Sequence, residues 1–163
     1  MCALACLGAG CAGYHLGPVK PDVVAGAQTI EIVPFNNQTL EPRLGDAVTQ
    51  ALREQLQTDG TYRMATTEPG DVVVTGVING YHRSGVSFLT TDVTTAQSYS
   101  ITVTAHVIAR ERDSGKLLLD KNVSGETLVQ TGSDLTDAER QSLPLLAEDL
   151  SRNIAELLTE GPW

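Results

Sequence analysis

Residues 29–56 read TIEIVPFNNQTLEPRLGDAVTQALREQL, and this stretch decides the fold. It begins with a β-branched run in which Ile30 and Ile32 face the same way, as in a strand with one buried side. A Pro-Phe pair and a polar turn interrupt the run. From Leu44 to Leu56 the apolar residues recur every three or four positions, which indicates an amphipathic helix. The sequence therefore predicts a strand that leads into a helix packed back against it.

The rest of the chain predicts further strands and a second helix. Residues 71–83 and 116–127 have strand-like patterns, and residues 98–110 alternate apolar with polar side chains most regularly. Helical spacing returns near the C-terminus, where Pro144 leaves open whether the helix begins there or is kinked there. We therefore predict an α+β fold, a two-layer sandwich with two amphipathic helices packed on one face of a four- to five-stranded, mostly antiparallel sheet.

The first ten residues differ in character from the rest of the chain. They read MCALACLGAG, which is small, apolar and uncharged, and Cys11 follows directly. This resembles the end of a bacterial lipoprotein signal peptide, so residues 1–10 are predicted to be a partial signal and Cys11 the acylated first residue of the mature chain. Residues 11–27 are predicted to form a tether, and residues 28–160 a single domain. No cofactor is expected apart from the covalent lipid on Cys11.

Charge and composition argue against several classes of function. A net charge of -9 and an aromatic content of 4% are unsuited to binding nucleic acid. The three histidines, His15, His82 and His106, lack the spacing of a metal site. No nucleophile elbow or phosphate-binding loop is present. We therefore predict neither an enzyme nor a metalloprotein.

The candidate interaction surface combines residues 84–97 with the strand that follows. Residues 84–97 are Thr-rich and break the strand pattern, as a loop or the tip of an extended hairpin would. The polar side of strand 98–110 carries hydroxyl groups that can hydrogen-bond the wall of another protein, although an ordinary solvated sheet face has the same pattern. The candidate partner-binding residues are Val86, Phe88, Thr102, Thr104 and His106.

A family resemblance runs through these segments. The chain contains CAGYHL from Cys11, IVPF-x-N-x-T-x-x-P over residues 32–42, and G-x-I-x-x-Y-x-R over residues 76–83, followed by Tyr99 and the Gly-Lys pair at position 115. Together they resemble the lipopolysaccharide (LPS) assembly lipoproteins of the LptE family. The resemblance implies the same α+β sandwich, lipid-anchored in the periplasmic leaflet of the outer membrane. It also implies a plug and assembly partner of the LPS-translocon β-barrel subunit (LptD-like), with LPS itself as a ligand.

The segment expected to meet LPS departs from the family pattern. Family members are proposed to contact this anionic lipid through basic residues near the loop before the long central strand. Here no Lys or Arg occurs between Arg83 and Arg110, and Asp92 adds a negative charge.

A second interpretation remains open, that of a periplasmic regulatory lipoprotein of the CsgG-like or peptidoglycan-synthase-activator type. That class shares a strand ending near a Pro-Phe pair and followed by an amphipathic helix. Its members carry further helices between the later strands, whereas residues 71–127 predict uninterrupted antiparallel β-structure.

Overall fold

The computed structural model describes residues 29–89, 92–130 and 135–160, with side chains described for 29–86, 98–130 and 137–160. The predicted signal peptide, the predicted lipidation site Cys11 and the predicted tether therefore lie outside the described residues. Along the chain the elements are β1 (Thr29–Ile32), β2 (Asn36–Asn37), α1 (Leu44–Asp59), β3 (Arg63–Met64), β4 (Val72–Leu89), β5 (Asp92–Glu111), β6 (Leu117–Gln130) and α2 (Leu135–Thr159). The strands form one sheet and both helices cover the same face of it, which confirms the α+β class.

The sheet is mixed and six-stranded, which corrects the prediction of four or five mostly antiparallel strands. The strand order is β3-β1-β4-β5-β6, with β2 also paired to β4. β1 is parallel to β3 and β4, and β2 is parallel to β4, whereas β4, β5 and β6 are antiparallel. The chain leaves β1 and returns through α1, and such a crossover produces parallel pairing. β2 and β3 have two residues each, too few to show a periodic pattern.

β4 and β5 form a long antiparallel hairpin that is interrupted by bulges. The pairing steps over Asn79 and over Val86, so neither residue has a partner on β5. A bulge adds one residue to one strand, which resets the alternation of its side chains. Gly76 consequently packs on the helix side against Phe35, whereas Gly80 meets Thr104 on the other side. Of the two alternatives for residues 84–97, the hairpin is confirmed over the described part.

The core lies between the helices and the sheet, and the apolar stripes of the sequence supply it. Most of the side chains of β1, α1, β5 and α2 that were predicted to face inward are buried, and Ala47, Ala51, Leu143 and Leu157 are partly buried. The buried side chains include Ile30, Ile32, Leu44, Val48, Leu52, Leu56, Ile101, Val103, Ala105, Val107, Ala109, Leu146, Leu150 and Ile154.

The two helices run in the same direction along the sheet. Thr49 of α1 accepts a hydrogen bond from the N–H of Phe35 at 2.9 Å, and Arg53, one turn later, donates to the carbonyl of Ile32 at 2.8 Å. α1 therefore runs antiparallel to β1. α2 runs antiparallel to β6 in the same way, because Asp149 lies beside Glu126 and the later residues of α2 lie beside earlier residues of β6. Both helices begin at the end of the sheet toward which the β4–β5 hairpin extends, called the hairpin end below.

Pro144 lies inside one continuous helix, so of the two alternatives left open by the sequence the start of a helix at this residue is excluded. The ring removes one backbone hydrogen bond of α2. Pro144 is exposed, and water can satisfy the carbonyl group that is left free. The surrounding apolar stripe, including Leu146 and Leu150 at 0% exposure, keeps the helix on the sheet.

Candidate functional site: the open face of the sheet

The face of β4, β5 and β6 that points away from the helices is called the open face. Its described side chains include Val73, Thr75, Val77, His82, Ser84, Ser100, Thr102, Thr104, His106, Ile108, Arg110, Asp120, Asn122, Ser124, Glu126 and Leu128. The structure places three of the candidate residues, Thr102, Thr104 and His106, together on this face and leaves each half-exposed. They share it because β5 alternates strictly, with the intervening residues in the core.

Polar pairs between β5 and β6 hold the side chains of the open face in place. Thr104 Oγ1 and Ser124 Oγ are 2.9 Å apart, and His106 Nε2 lies 2.7 Å from Asp120 Oδ1. The hydroxyl of Ser100 also donates to Glu126. Side chains that already hold one geometry lose less conformational entropy when a partner binds. The open face is therefore a pre-ordered polar surface.

The charges on the open face and beside it are balanced or acidic. Arg112, at the β1 side, pairs with Glu31 and donates from Nε to the carbonyl of Gly70 at 2.8 Å. Asp120 and Glu126 add two carboxylates across β6. Such a surface offers no excess of positive charge to a phosphate group.

Arg83 and Arg110, between which the sequence has no Lys or Arg, lie on different sides of the sheet. Arg83 is on the helix side, where its Nη1 pairs with Glu139 of α2. Arg110 is opposite Val73 and exposed. They do not form one cationic site.

Large exposed apolar side chains concentrate at the hairpin end. Leu40 is 100% exposed, Leu128 67%, Leu145 57% and Val86 53%, and all four lie toward that end. Of the described side chains, Leu117 is the remaining large exposed apolar residue, and it lies at the start of β6. Val86 lies within β4 and is exposed, and its role in partner binding stays a prediction. The backbone of Phe88 continues β4, and its side chain lies outside the described part.

Tyr81 is on the helix side of β4, close to acidic groups. Its hydroxyl is buried and has no hydrogen-bond partner within the described residues. Burial, followed by the nearby carboxylates of Glu41 and Glu139, raises the pKa of Tyr81 to about 12, although Arg83 opposes the shift. The hydroxyl therefore remains neutral at physiological pH and is a poor proton acceptor.

A shallow groove of about 680 Å³ separates α1 from α2. Ala47, Ala51, Leu143 and Ala147 line its apolar part, and charged residues of both helices, including Glu54 and Arg140, surround it. Small side chains at this position let the two helices pack closely. The groove belongs to the helix layer and does not communicate with the open face.

Neither a metal site nor a membrane-spanning helix is found in the described part of the chain. Among residues 29–89, 92–130 and 135–160, no three His, Cys, Asp or Glu side chains form a group that could hold a metal ion. None of the described helices is both long and apolar enough to cross a bilayer.

The sequence interpretation overlooked the contribution of β6. Its residues Asp120, Ser124 and Glu126 complete the polar pairs of the open face, and Leu128 is its most exposed apolar side chain. The alternation D-K-N-V-S-G-E from position 120 carried the signal, with polar residues at even positions and Val and Gly between them.

Comparison with known proteins agrees with this fold. A protein from Chlamydia trachomatis has a TM-score of 0.59 at 10% identity, covering 83% of this chain and 99% of that chain. A protein from Xanthomonas campestris has a TM-score of 0.58 at 8% identity, covering 90% and 88%. A minor lipoprotein from Acinetobacter baumannii has a TM-score of 0.53 at 11% identity, covering 81% and 92%. At these identities the likeness shows the fold alone.

The family follows from the sequence comparison. A search of curated proteins found no match to this chain. Residues 27–158, however, match the family model described as "LptE: Lipopolysaccharide-assembly", which covers all the elements except the last residue of α2. The resemblance inferred from the motifs is thereby confirmed. The chain belongs to the LptE family of lipopolysaccharide-assembly proteins.

Proposed function

We propose that this protein is an outer-membrane lipoprotein that acts as plug and assembly partner of the LPS-translocon β-barrel subunit and so assists delivery of LPS to the cell surface. The family match over residues 27–158 carries the proposal. The anchor would be the lipid on Cys11, in the periplasmic leaflet. The protein would act stoichiometrically, by binding, without turning over a substrate.

The open face suits the inner wall of such a barrel. The lumen of an outer-membrane barrel is lined by polar side chains. The hydroxyl and amide groups of Thr102, Thr104, Asn122 and Ser124 can exchange hydrogen bonds with that wall. The cross-strand pairs hold several of these groups in position, which lowers the entropic cost of docking.

The distribution of charge favours contact with protein over capture of phosphate. The open face combines the carboxylates of Asp120 and Glu126 with the guanidinium of Arg110, and Arg112 beside it is paired with Glu31. Anionic lipid headgroups require clustered Lys and Arg side chains. The barrel subunit is therefore the primary partner in this proposal, and direct contact with the phosphates of LPS is secondary.

The regulatory-lipoprotein alternative receives less support. Its members carry helices between their later strands, and in the described part of residues 72–130 the chain forms β4, β5 and β6 and no helix. This alternative becomes the preferred interpretation if no barrel is recovered in the following experiment.

The test is recovery of the barrel subunit from detergent-solubilised outer membrane by the affinity-tagged protein. Thr104→Arg places a bulky cation on the open face, and Gln57→Arg places the same side chain on the exposed surface of α1 as a matched control. We expect Thr104→Arg to reduce barrel recovery several-fold and Gln57→Arg to have no effect, with both variants folded by circular dichroism. Full recovery by Thr104→Arg would refute the open-face assignment. Failure of the unaltered protein to recover any barrel would refute the plug function.

A further inference from the structure

β6 forms one edge of the sheet, and its even-numbered residues direct their backbone groups outward. The N–H of Glu126 donates to Asp149 Oδ2 at 2.9 Å, and the carbonyl of Ser124 accepts from Asn153 Nδ2 at 2.8 Å. Both bonds point away from β5. In an antiparallel pair the backbone groups of alternate residues point outward, and β6 pairs without a register shift from Leu119 to Gln130. The N–H and C=O of Leu128 therefore also face outward.

Two parts of this edge are protected against pairing with another strand. Asp149 and Asn153 of α2 cover its middle through the two hydrogen bonds above. Its first part carries the exposed charged residues Asp120 and Lys121. Inserted charges and covering elements are the usual ways in which proteins prevent edge-to-edge association.

Within the part of the chain that the structure describes, neither form of protection is found at the last part of the edge. Along α2 the residues facing β6 are four apart, Asn153, Asp149 and then Leu145. Leu145 lies one turn before Asp149 and is therefore level with the backbone of Leu128, which is two residues after Glu126. The side chain of Leu145 has no polar group that could hydrogen-bond the backbone of Leu128. Leu128 is 67% exposed and Leu145 57%. Within the described residues, no hydrogen bond outside the β5–β6 ladder reaches the backbone of Leu128.

We propose that the segment 128–130 of β6 is a strand-addition site for an extended segment of the barrel subunit. This inference rests on the proposed function and identifies where that partner would bind. Outward N–H and C=O groups at a two-residue spacing match the backbone of another strand, which a helix or a lipid chain cannot supply. Leu128 and Leu145 provide apolar contact beside these bonds.

The charges around the site define the incoming segment further. Glu126 and Glu148 lie beside Leu128 and Leu145 along their elements, and both are exposed. A segment with apolar residues and a Lys or Arg next to them would fit this surface. The carboxylate of Asp149 already accepts a hydrogen bond from the N–H of Glu126. An added strand would therefore stop at Leu128 and would not continue toward Glu126.

Proline substitution separates the role of the backbone from that of the side chain. Because the N–H of Leu128 points outward, Leu128→Pro removes a donor from the open edge without breaking the bonds to β5. Asn122→Pro does the same at another outward position, in the charged part of the edge, and is the matched control. Leu128→Ala keeps the N–H and removes only apolar contact. We expect recovery of the barrel subunit to fall about tenfold for Leu128→Pro and to fall less for Leu128→Ala. Recovery by Asn122→Pro should equal recovery by Asn122→Ala, because both lose the side chain that faces the barrel wall and only the first loses the N–H.

Hydrogen exchange of the unaltered complex provides a measurement that does not depend on the folding of any variant. The backbone N–H of Leu128 should exchange more slowly when the barrel is bound than when it is absent. The exchange rate of the backbone N–H of Asn122 should not change. If the unaltered protein recovers the barrel and the Leu128 amide is not slowed, strand addition is refuted and the plug function stands. If a folded Leu128→Pro variant recovers the barrel subunit at full yield, strand addition is likewise refuted and the plug function stands. If the unaltered protein recovers no barrel, both proposals fail.

Discussion

The ring of Phe35 lies directly on the backbone of Gly76, where a Cβ atom would be only 2.1 Å from Cε1 of the ring. The N–H of Phe35 is at the same time bonded to Thr49 Oγ1, and that hydroxyl donates to the carbonyl of Gly45 at 2.7 Å. The turn after β1 is thus attached both to the middle of β4 and to the first turn of α1. This contact fixes the strand–helix unit on the hairpin.

Gly76→Ala should destabilise the fold by about 1–3 kcal/mol, because the new methyl group displaces an aromatic ring that is buried. Thr75→Ala, on the exposed side of the same strand, should change the free energy of unfolding by less than about 0.5 kcal/mol. Chemical denaturation of both variants provides the measurement. Equal denaturation midpoints for the Gly76→Ala and Thr75→Ala variants would show that the ring of Phe35 can move aside without loss of stability.

Leu52→Ala and Leu150→Ala should each cost about 2–5 kcal/mol, since both side chains are completely buried and their truncation leaves a cavity. Leu40→Ala removes the same atoms from a side chain that is 100% exposed and is the control. The expected result is a lower denaturation midpoint for the two core variants only. An unchanged midpoint for either would contradict the packing of that helix.

Stability should decrease in alkaline solution as Tyr62 ionises. Burial, and then the negative charge of Asp59, raises the pKa of Tyr62 from its ordinary value of 10.0 to about 12. Because the folded pKa is the higher one, the stabilisation is complete below the unfolded pKa and is lost as pH rises through the folded pKa. Unfolding measured between pH 10 and pH 12 should show this loss.

Replacing the hydroxyl of Tyr62 separates its hydrogen bond from its ionisation. Tyr62 donates to the carbonyl of Leu158 at 3.1 Å, so Tyr62→Phe should cost about 1 kcal/mol at neutral pH. Tyr81→Phe is the matched control, because the Tyr81 hydroxyl has a similarly raised pKa but no partner in the described part. In both variants the free energy of unfolding should decrease less between pH 10 and pH 12 than it does in the unaltered protein. Only Tyr62→Phe should lose stability at neutral pH.

Deletion of residues 87–95 should weaken association with the barrel while leaving the isolated domain folded. The described core is formed by residues outside this segment, so we expect it to remain intact. Circular dichroism and pull-down from solubilised outer membrane check the two parts of this prediction. A folded deletion variant that recovers the barrel at full yield would contradict the assignment of this segment.

Cys11 should carry the membrane anchor. Stable attachment requires more than one acyl chain, so the Cys should be multiply acylated. Mass spectrometry of the native N-terminal peptide would establish this, and Cys11→Ser should release the protein from the membrane fraction. An unmodified Cys11, or cleavage at another position, would contradict the prediction.

The sequence predicted the parts of the fold that depend on local pattern. The stripe from Leu44 to Leu56 became α1, and the alternation over residues 98–110 became β5 with the predicted inner face. The pairing of β1 with β4 could not be read in this way, because parallel pairing depends on contacts between distant segments. The bulge at Asn79 could not be predicted either, because it is defined by the register of β4 with the distant strand β5.

The candidate site was predictable to a similar extent. The polar side of β5 was found from alternation, and Val86 was recognised as an apolar residue in polar surroundings. The edge of β6 was not found, because its character depends on which α2 side chains reach the backbone at Ser124 and Glu126. No property of the β6 sequence by itself distinguishes the covered part from the uncovered part.

The length of the hairpin defines how far the protein can reach. β4 has eighteen residues, and at about 3.3 Å per residue it extends on the order of 55–60 Å. Thr29 begins β1 beside the first residues of β4, so the chain enters at one end of this distance and the hairpin turns at the other. The hydrocarbon layer of a bilayer is only about 30 Å thick. A molecule anchored at the inner leaflet and oriented along the membrane normal would therefore present the hairpin beyond the opposite leaflet.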